Sequence, residues 1–273
     1  MFELALTPLL ILVAAIAAVP GLFIAAVIIV VWFLHIYYER EDTATASRFD
    51  MRARSEGIAV TLRNYFRIRR QEINRSGRNH IYLLSPHGIL AASSLGILTW
   101  EEGPLLAVHS WFFHVPLVRA LMLRHGAIDS NEVTLRTHLQ AGHSIAIYPD
   151  GTRAMGKPFL PPTRRYVYGI VRIAYELRVP IVPVYCIGEK ELCWHWKGEW
   201  NWVTFIRRAS YILIGYPIPT VFVPSWFLTG SRPPPLILTF GQPIHPIHYD
   251  ALEAFQKKYM RARLALEANA VYQ

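Results

Sequence analysis

The sequence predicts an α/β sandwich with a mainly parallel central sheet, set behind an apolar N-terminal membrane anchor. Two observations predict it. Short apolar runs bounded by turn residues alternate with segments of helical periodicity through the last two thirds of the chain, and the stretch from Leu4 to Leu34 carries no charge. A third observation locates the chemistry: Ser85-Pro86-His87-Gly88 and Tyr148-Pro149-Asp150-Gly151-Thr152-Arg153 each follow an apolar run, at the strand ends where parallel sheets build their sites.

The apolar stretch is longer than the roughly 20 residues that cross a bilayer, and Pro20-Gly21 interrupts it near its middle. Two forms fit, one long kinked helix or a helical hairpin whose arms enter and leave one leaflet. A cleaved leader fits worse, because the initial Met-Phe-Glu-Leu segment has no basic residue. Arg40, Arg48, Arg52 and Arg54 gather after the run, so the positive-inside bias puts the remainder in the cytosol. The expected organisation is an anchor over 1–40 and one catalytic domain over 41–273.

Within that domain the strands are expected at Ile81 to Leu84, Leu105 to Val108, Ser144 to Tyr148, Ile181 to Tyr185 and Leu236 to Phe240. Helices are expected at Ile89 to Leu98, Val115 to Leu123, Glu132 to Gln140, Arg165 to Leu177 and Asp250 to Ala268. The Pro-rich pieces Pro158 to Pro162 and Pro233-Pro234-Pro235 are too short to be linkers.

Composition narrows the function classes. Over 273 residues, 53% are hydrophobic and the mean hydropathy is +0.24, high for a chain that meets only water. The net charge of +9 invites a nucleic-acid reading, but the arginines between Arg63 and Arg78 are interleaved with Tyr65 and Phe66 and accompany no nucleic-acid module. Anionic lipid headgroups account for them as well, at about 1 kcal/mol per basic residue near a membrane surface, and an ordinary solvated basic face is the bland alternative. Cys186 and Cys193 form neither a disulfide framework nor a zinc pattern.

His87 follows a strand and precedes Gly88, where the chain is expected to turn into a helix. A neutral imidazole there can take the proton of an alcohol attacking a carbonyl, and free N–H groups of the helix start can hold the resulting oxyanion. The bland alternative is a histidine that merely caps or packs.

The segment Ile81-Tyr82-Leu83-Leu84-Ser85-Pro86-His87-Gly88-Ile89-Leu90 resembles the HPHG signature of the type-2 diacylglycerol acyltransferase family, with Ser85 in place of the first histidine. Val115-Pro116-Leu117-Val118-Arg119, Val182-Pro183-Val184-Tyr185, Gly188-Glu189-Lys190-Glu191-Leu192 and Gly241-Gln242-Pro243-Ile244 match in the same order. The wider lysophospholipid acyltransferase superfamily uses HxxxxD followed downstream by EGTR. Ala92 stands at the aspartate position here, whereas Asp150-Gly151-Thr152-Arg153 resembles EGTR, so the chain mixes two patterns.

The resemblance implies a glycerolipid acyltransferase-like fold and residue roles. His87 would be the base, with Gly88 and Asp150 beside it in the catalytic set. Ser85, Pro86, Gly151, Thr152, Arg153, Arg165, Arg172 and Glu189 would line the substrate site. With Ala92 unable to orient the imidazole, Asp150 or Glu189 would hold its other ring nitrogen. Arg153 could grip a phosphate bidentately, as coenzyme A or a lysophospholipid would require.

Three near-misses are set aside. Gly151 to Lys157 spells a P-loop, but Pro158 stands where the Mg²⁺-binding Ser or Thr belongs. Ser94 lies inside a predicted helix and not at the strand-to-helix elbow of a serine esterase. His245, His248 and Asp250 lack a partner cluster for a metal.

The expected function is membrane-bound O-acylation of a glycerolipid, first a mono- or diacylglycerol, with acyl-CoA as co-substrate and no cofactor or metal. The expected partners are acyl-CoA, the glycerolipid acceptor and the bilayer, and family likeness puts a eukaryotic member in the endoplasmic reticulum. Lysophosphatidate, long-chain alcohols and a non-catalytic lipid-binding scaffold are the alternatives.

Overall fold

Runs of Ile, Val and Leu too short for helices fill the middle of the chain, and they form the centre of one sheet. The computed structural model describes residues 57–71, 79–88, 90–114, 116–149, 151, 164–195, 205, 209, 222–224, 230–246 and 251–271. The anchor expected over 1–40 lies outside them. Among the described residues no helix is long and apolar enough to cross a membrane.

The strands of the main sheet are β1 (Arg69–Arg70), β2 (Ile81–Ser85), β3 (Leu105–Val108), β4 (Ala127–Asp129), β5 (Ile145–Ile147), β6 (Ile181–Ile187) and β9 (Ile237–Phe240). They lie in the order β1-β9-β6-β2-β5-β3-β4. From β6 to β4 every pairing is parallel, whereas β9 runs antiparallel to β6 and carries β1 parallel to itself at the edge. The expected mainly parallel α/β sheet is present. A separate ribbon pairs β7 (Cys193–His195) with β8 (Phe222–Pro224).

Helices cover both faces, because a right-handed crossover changes face when the strand order reverses direction. A first helix, α1 (Ile58–Tyr65), precedes the sheet; moving from β2 to β3 and β4, the chain lays down α2 (Ser94–Leu98) and α3 (Pro116–Arg124) on one face, where Ile97, Leu98 and Phe113 join Leu84, Leu106 and Ala146. Returning from β4 to β5 and β6, it lays down α4 (Glu132–Gln140) and α5 (Arg164–Glu176) on the other, joined by the final helix α6 (Leu252–Val271). There Leu135, Leu139, Val167, Val171, Phe255 and Tyr259 bury Ile81, Leu83, Ile145 and Ile181. Alternation along β2 follows: Ile81 and Leu83 enter the second core, Leu84 the first.

Local signals set the boundaries. Asn131 caps α4, accepting the Thr134 N–H at 2.8 Å. One expected helix is shorter than its periodicity suggests. Gly88 and Ala91 both adopt positive φ, at 61° and 48°, so the chain loops after β2 and α2 begins at Ser94 and not at Ile89.

Four residues of α4 and α5 form an exposed charged seam. Arg136 pairs with Glu132 at 2.9 Å and closely with Glu176, and Arg172 reaches Glu132 at 2.7 Å. Such surface pairs are screened by solvent and contribute little to stability.

Candidate active site

Three adjacent parallel strands, β5, β2 and β6, end side by side, and each delivers one residue to the same place. Tyr148 follows β5, His87 follows β2 and Glu189 follows β6. Ser85 closes β2, and Pro86 follows it through a cis peptide bond. Ser85, Pro86 and Gly88 are buried, while His87 is partly accessible to solvent.

The imidazole of His87 lies against the Tyr148 ring, with centroids 4.7 Å apart. Its Nδ1 is 2.8 Å from the Gly88 carbonyl oxygen. A carbonyl only accepts, so the proton sits on Nδ1 and Nε2 carries the free lone pair, the tautomer a general base requires. Burial pulls the His87 pKa below the ordinary 6.5, against the opposing effect of the Gly88 hydrogen bond, and keeps the ring neutral.

The orientation of His87 corrects the sequence reading. Of the two expected carboxylates, Glu189 does not make this contact. Asp150 lies outside the described residues, and Glu189 turns instead to the start of α2, accepting the N–H groups of Ala92 at 2.9 Å and Ser93 at 2.8 Å. Its carboxylate thus occupies the amides at the observed start of α2, which are therefore not open to an oxyanion. A backbone carbonyl one residue along performs the holding task, which no residue-type pattern announces.

Glu189 is buried, and that burial outweighs its hydrogen bonds, pushing its pKa from 4.5 up to about 7. Around it lies a closed polar group. Tyr148 Oη and Ser93 Oγ are 2.6 Å apart, and burial raises Tyr148 well above the ordinary tyrosine value. Cys186 stands beside Glu189, its thiol also pushed up by burial. Both cysteines are free and buried.

Gly88 is required twice over. Its φ of 61° is left-handed, and a Cβ there would stand 2.8 Å from Glu189 Oε1 and 2.9 Å from Glu189 Cγ. The carboxylate cannot yield without abandoning the Ala92 and Ser93 amides. Gly88→Ala is therefore expected to destabilise the protein by about 1–3 kcal/mol, from left-handed strain and lost capping together, and to lower turnover with it. Thermal melting of the variant beside an activity assay checks this; an unchanged melting temperature would show that the turn has room to spare.

The other expected site residues separate into two groups. Gly151 follows β5 with φ 52°, at the same edge of the sheet, while Thr152 and Arg153 lie outside the described residues. Arg165 falls in the first turn of α5, its side chain outside the described part, and Arg172 lies two turns on in the exposed seam with Glu132 and Glu176. No described cluster of His, Cys, Asp and Glu is arranged to hold a metal ion.

Sequence reasoning passed over Tyr148, Ser93 and Arg263. Tyr148 carried a usable signal, since it closes the apolar run that leads into the Pro149-Asp150-Gly151 segment. Arg263 carried another, a charge on the buried stripe Phe255, Tyr259, Arg263 of α6.

A family model described as Diacylglycerol acyltransferase matches residues 21–245, a span that includes every strand of the sheet and both motif turns. Human Diacylglycerol O-acyltransferase 2 is 23% identical over 275 aligned positions, covering 88% of this chain and 69% of that protein. Human Acyl-CoA wax alcohol acyltransferase 2 is 27% identical over 132 positions, covering 42% of this chain and 39% of its own length. Among solved structures, the chain is similar to the 1-acyl-sn-glycerophosphate (LPA) acyltransferase PlsC from Thermotoga maritima, with a TM-score of 0.49 and 14% identity over 88% of this chain and 95% of that one. With the match running from before the first strand to beyond the last, this chain belongs to the diacylglycerol acyltransferase family and is an acyltransferase.

Proposed function

We propose that the chain transfers a fatty acyl group from acyl-CoA to the free hydroxyl of a mono- or diacylglycerol at a membrane surface, with His87 as general base. The observation that carries this reading is the geometry of the imidazole. Nδ1 is held by the Gly88 carbonyl, and Nε2 is left to accept a proton at the carboxyl edge of the sheet. The ring is kept neutral by its surroundings, so no proton must be removed before catalysis.

The steps balance without a covalent enzyme intermediate. Nε2 takes the hydroxyl proton as the acceptor oxygen attacks the thioester carbonyl. The tetrahedral intermediate then collapses, the C–S bond breaks, and the imidazolium returns its proton to the departing thiolate. A thiol pKa near 8.5 makes coenzyme A a ready leaving group. Holding both substrates together contributes several kcal/mol by proximity alone.

The uncharged Leu4 to Leu34 stretch supports membrane attachment, and the basic residues that follow it support a catalytic domain on the cytosolic side. Asp150, Gly151, Thr152 and Arg153 would line the acyl-CoA or acceptor site, Arg153 meeting phosphate.

The test offers labelled long-chain acyl-CoA to membranes containing the full chain, with monoacylglycerol, diacylglycerol, lysophosphatidate and a long-chain alcohol in parallel. Label in di- or triacylglycerol is the expected result. Label confined to phosphatidate or to a wax ester overturns the acceptor and keeps the transferase. Label in none overturns acyl-CoA as donor to these acceptors.

A further inference from the structure

Directly under the His87 turn, on the opposite face of the sheet, α6 brings a guanidinium to the end of β2. Arg263 is 3% exposed, and its Nε donates to Ser85 Oγ at 3.3 Å. The Ser85 hydroxyl spends its single proton on the Val184 carbonyl of β6, at 3.2 Å. One hydroxyl thus joins the last turns of α6 to the ends of β2 and β6, two residues before His87.

The remaining guanidinium atoms are poorly served. Arg263 Nη2 reaches Glu267 only at 3.7 Å, and Glu267 is shared with Lys190 at 2.7 Å. Arg263 Nη1 is buried with no hydrogen-bond partner. Each such deficit has an energetic cost, since a buried donor without an acceptor loses its hydration unreplaced, the more so when it is charged. An apolar side chain of similar shape would fill the same buried position without that cost. Fold stability alone therefore does not account for an arginine here.

We propose that Arg263 is a positioning residue for His87, acting through Ser85. This inference rests on His87 being the base. Ser85 occupies the place where the resembled signature carries a histidine, and its side chain is too short to reach α6. Arg263 does the reaching, and so fixes how far the end of β2 projects and where the imidazole stands. Pro86 separates the anchored Ser85 from His87 and leaves little slack between them.

The test uses the full chain with Arg263→Met, Ser85→Ala and the double variant, comparing kcat, acyl-CoA KM and melting temperature, with His87→Asn alongside. A misplacement of about 1 Å costs roughly 10²-fold in rate. Each single variant is expected to lose between tenfold and a hundredfold in kcat with KM within twofold. The double variant loses no more than the worse single one, because the two residues act as one unit. Arg263→Met is expected to melt no lower than the parent.

Multiplying losses in the double variant, a KM rise at unchanged kcat, or a melting temperature that falls in step with activity each overturns the assignment. Parental activity in the Arg263 and Ser85 variants while His87→Asn is dead overturns this inference alone. Activity in His87→Asn overturns the base reading beneath it.

Discussion

His87→Asn is expected to lower kcat for acyl transfer by about 10²–10⁴-fold, the contribution of a positioned general base. The substitution is chosen for what it keeps. An asparagine amide nitrogen stands near the position of Nδ1 and can donate to the same Gly88 carbonyl, so the turn retains its internal hydrogen bond. What disappears is Nε2, the atom that accepts the proton. Melting temperature should stay within about 2 °C of the parent, a change below ~1 kcal/mol for a domain of this size.

The parent's pH–rate profile gives a second reading of the same residue. Catalysis needs the neutral ring, and burial lowers the pKa of that ring below 6.5. The acid limb assigned to His87 therefore lies below 6.5, and activity rises as pH increases through it. Full activity in the asparagine variant would remove His87 from the chemistry and leave it as a packing residue against Tyr148.

Much of this arrangement was legible because short-range rules govern it. The strand Leu105 to Val108 and the helix Glu132 to Gln140 fall where apolar periodicity places them. Four more strands were found with shifts at their ends. β4 was missed because only Ala127, Ile128 and Asp129 compose it, too few for alternation to register. β9 was placed, but nothing in its residues tells that it runs antiparallel to β6, because strand direction is settled by connection and not by composition. At the site, the motif turns were readable as motifs, whereas the work done by Glu189 depends on β6 lying beside β2. That adjacency makes a residue 97 positions downstream of Ala92 the cap of α2, a relation that no local pattern carries.

Glu189→Ala is expected to destabilise the protein by about 3–5 kcal/mol, because it leaves the Ala92 and Ser93 amides buried without acceptors and opens a cavity beside Gly88. A subtler consequence follows from its protonation. In the unfolded chain the carboxyl loses its proton near 4.5, whereas in the folded chain it holds it to about 7. Between those values the folded state binds more protons, so stability falls as pH rises. The stabilisation is fully present below 4.5 and is lost as pH passes through about 7, a change of roughly 3 kcal/mol across the window. Glu189→Gln cannot titrate. It bears a fixed penalty of about 1–3 kcal/mol, since its NH₂ must face one of the two backbone donors. Melting curves taken between pH 5 and 8 should therefore slope downward for the parent and lie lower but flatter for Glu189→Gln, the two converging at the alkaline end. Equal slopes would mean that the carboxyl is already ionised throughout, held as a charged cap on α2 by the Ala92 and Ser93 amides.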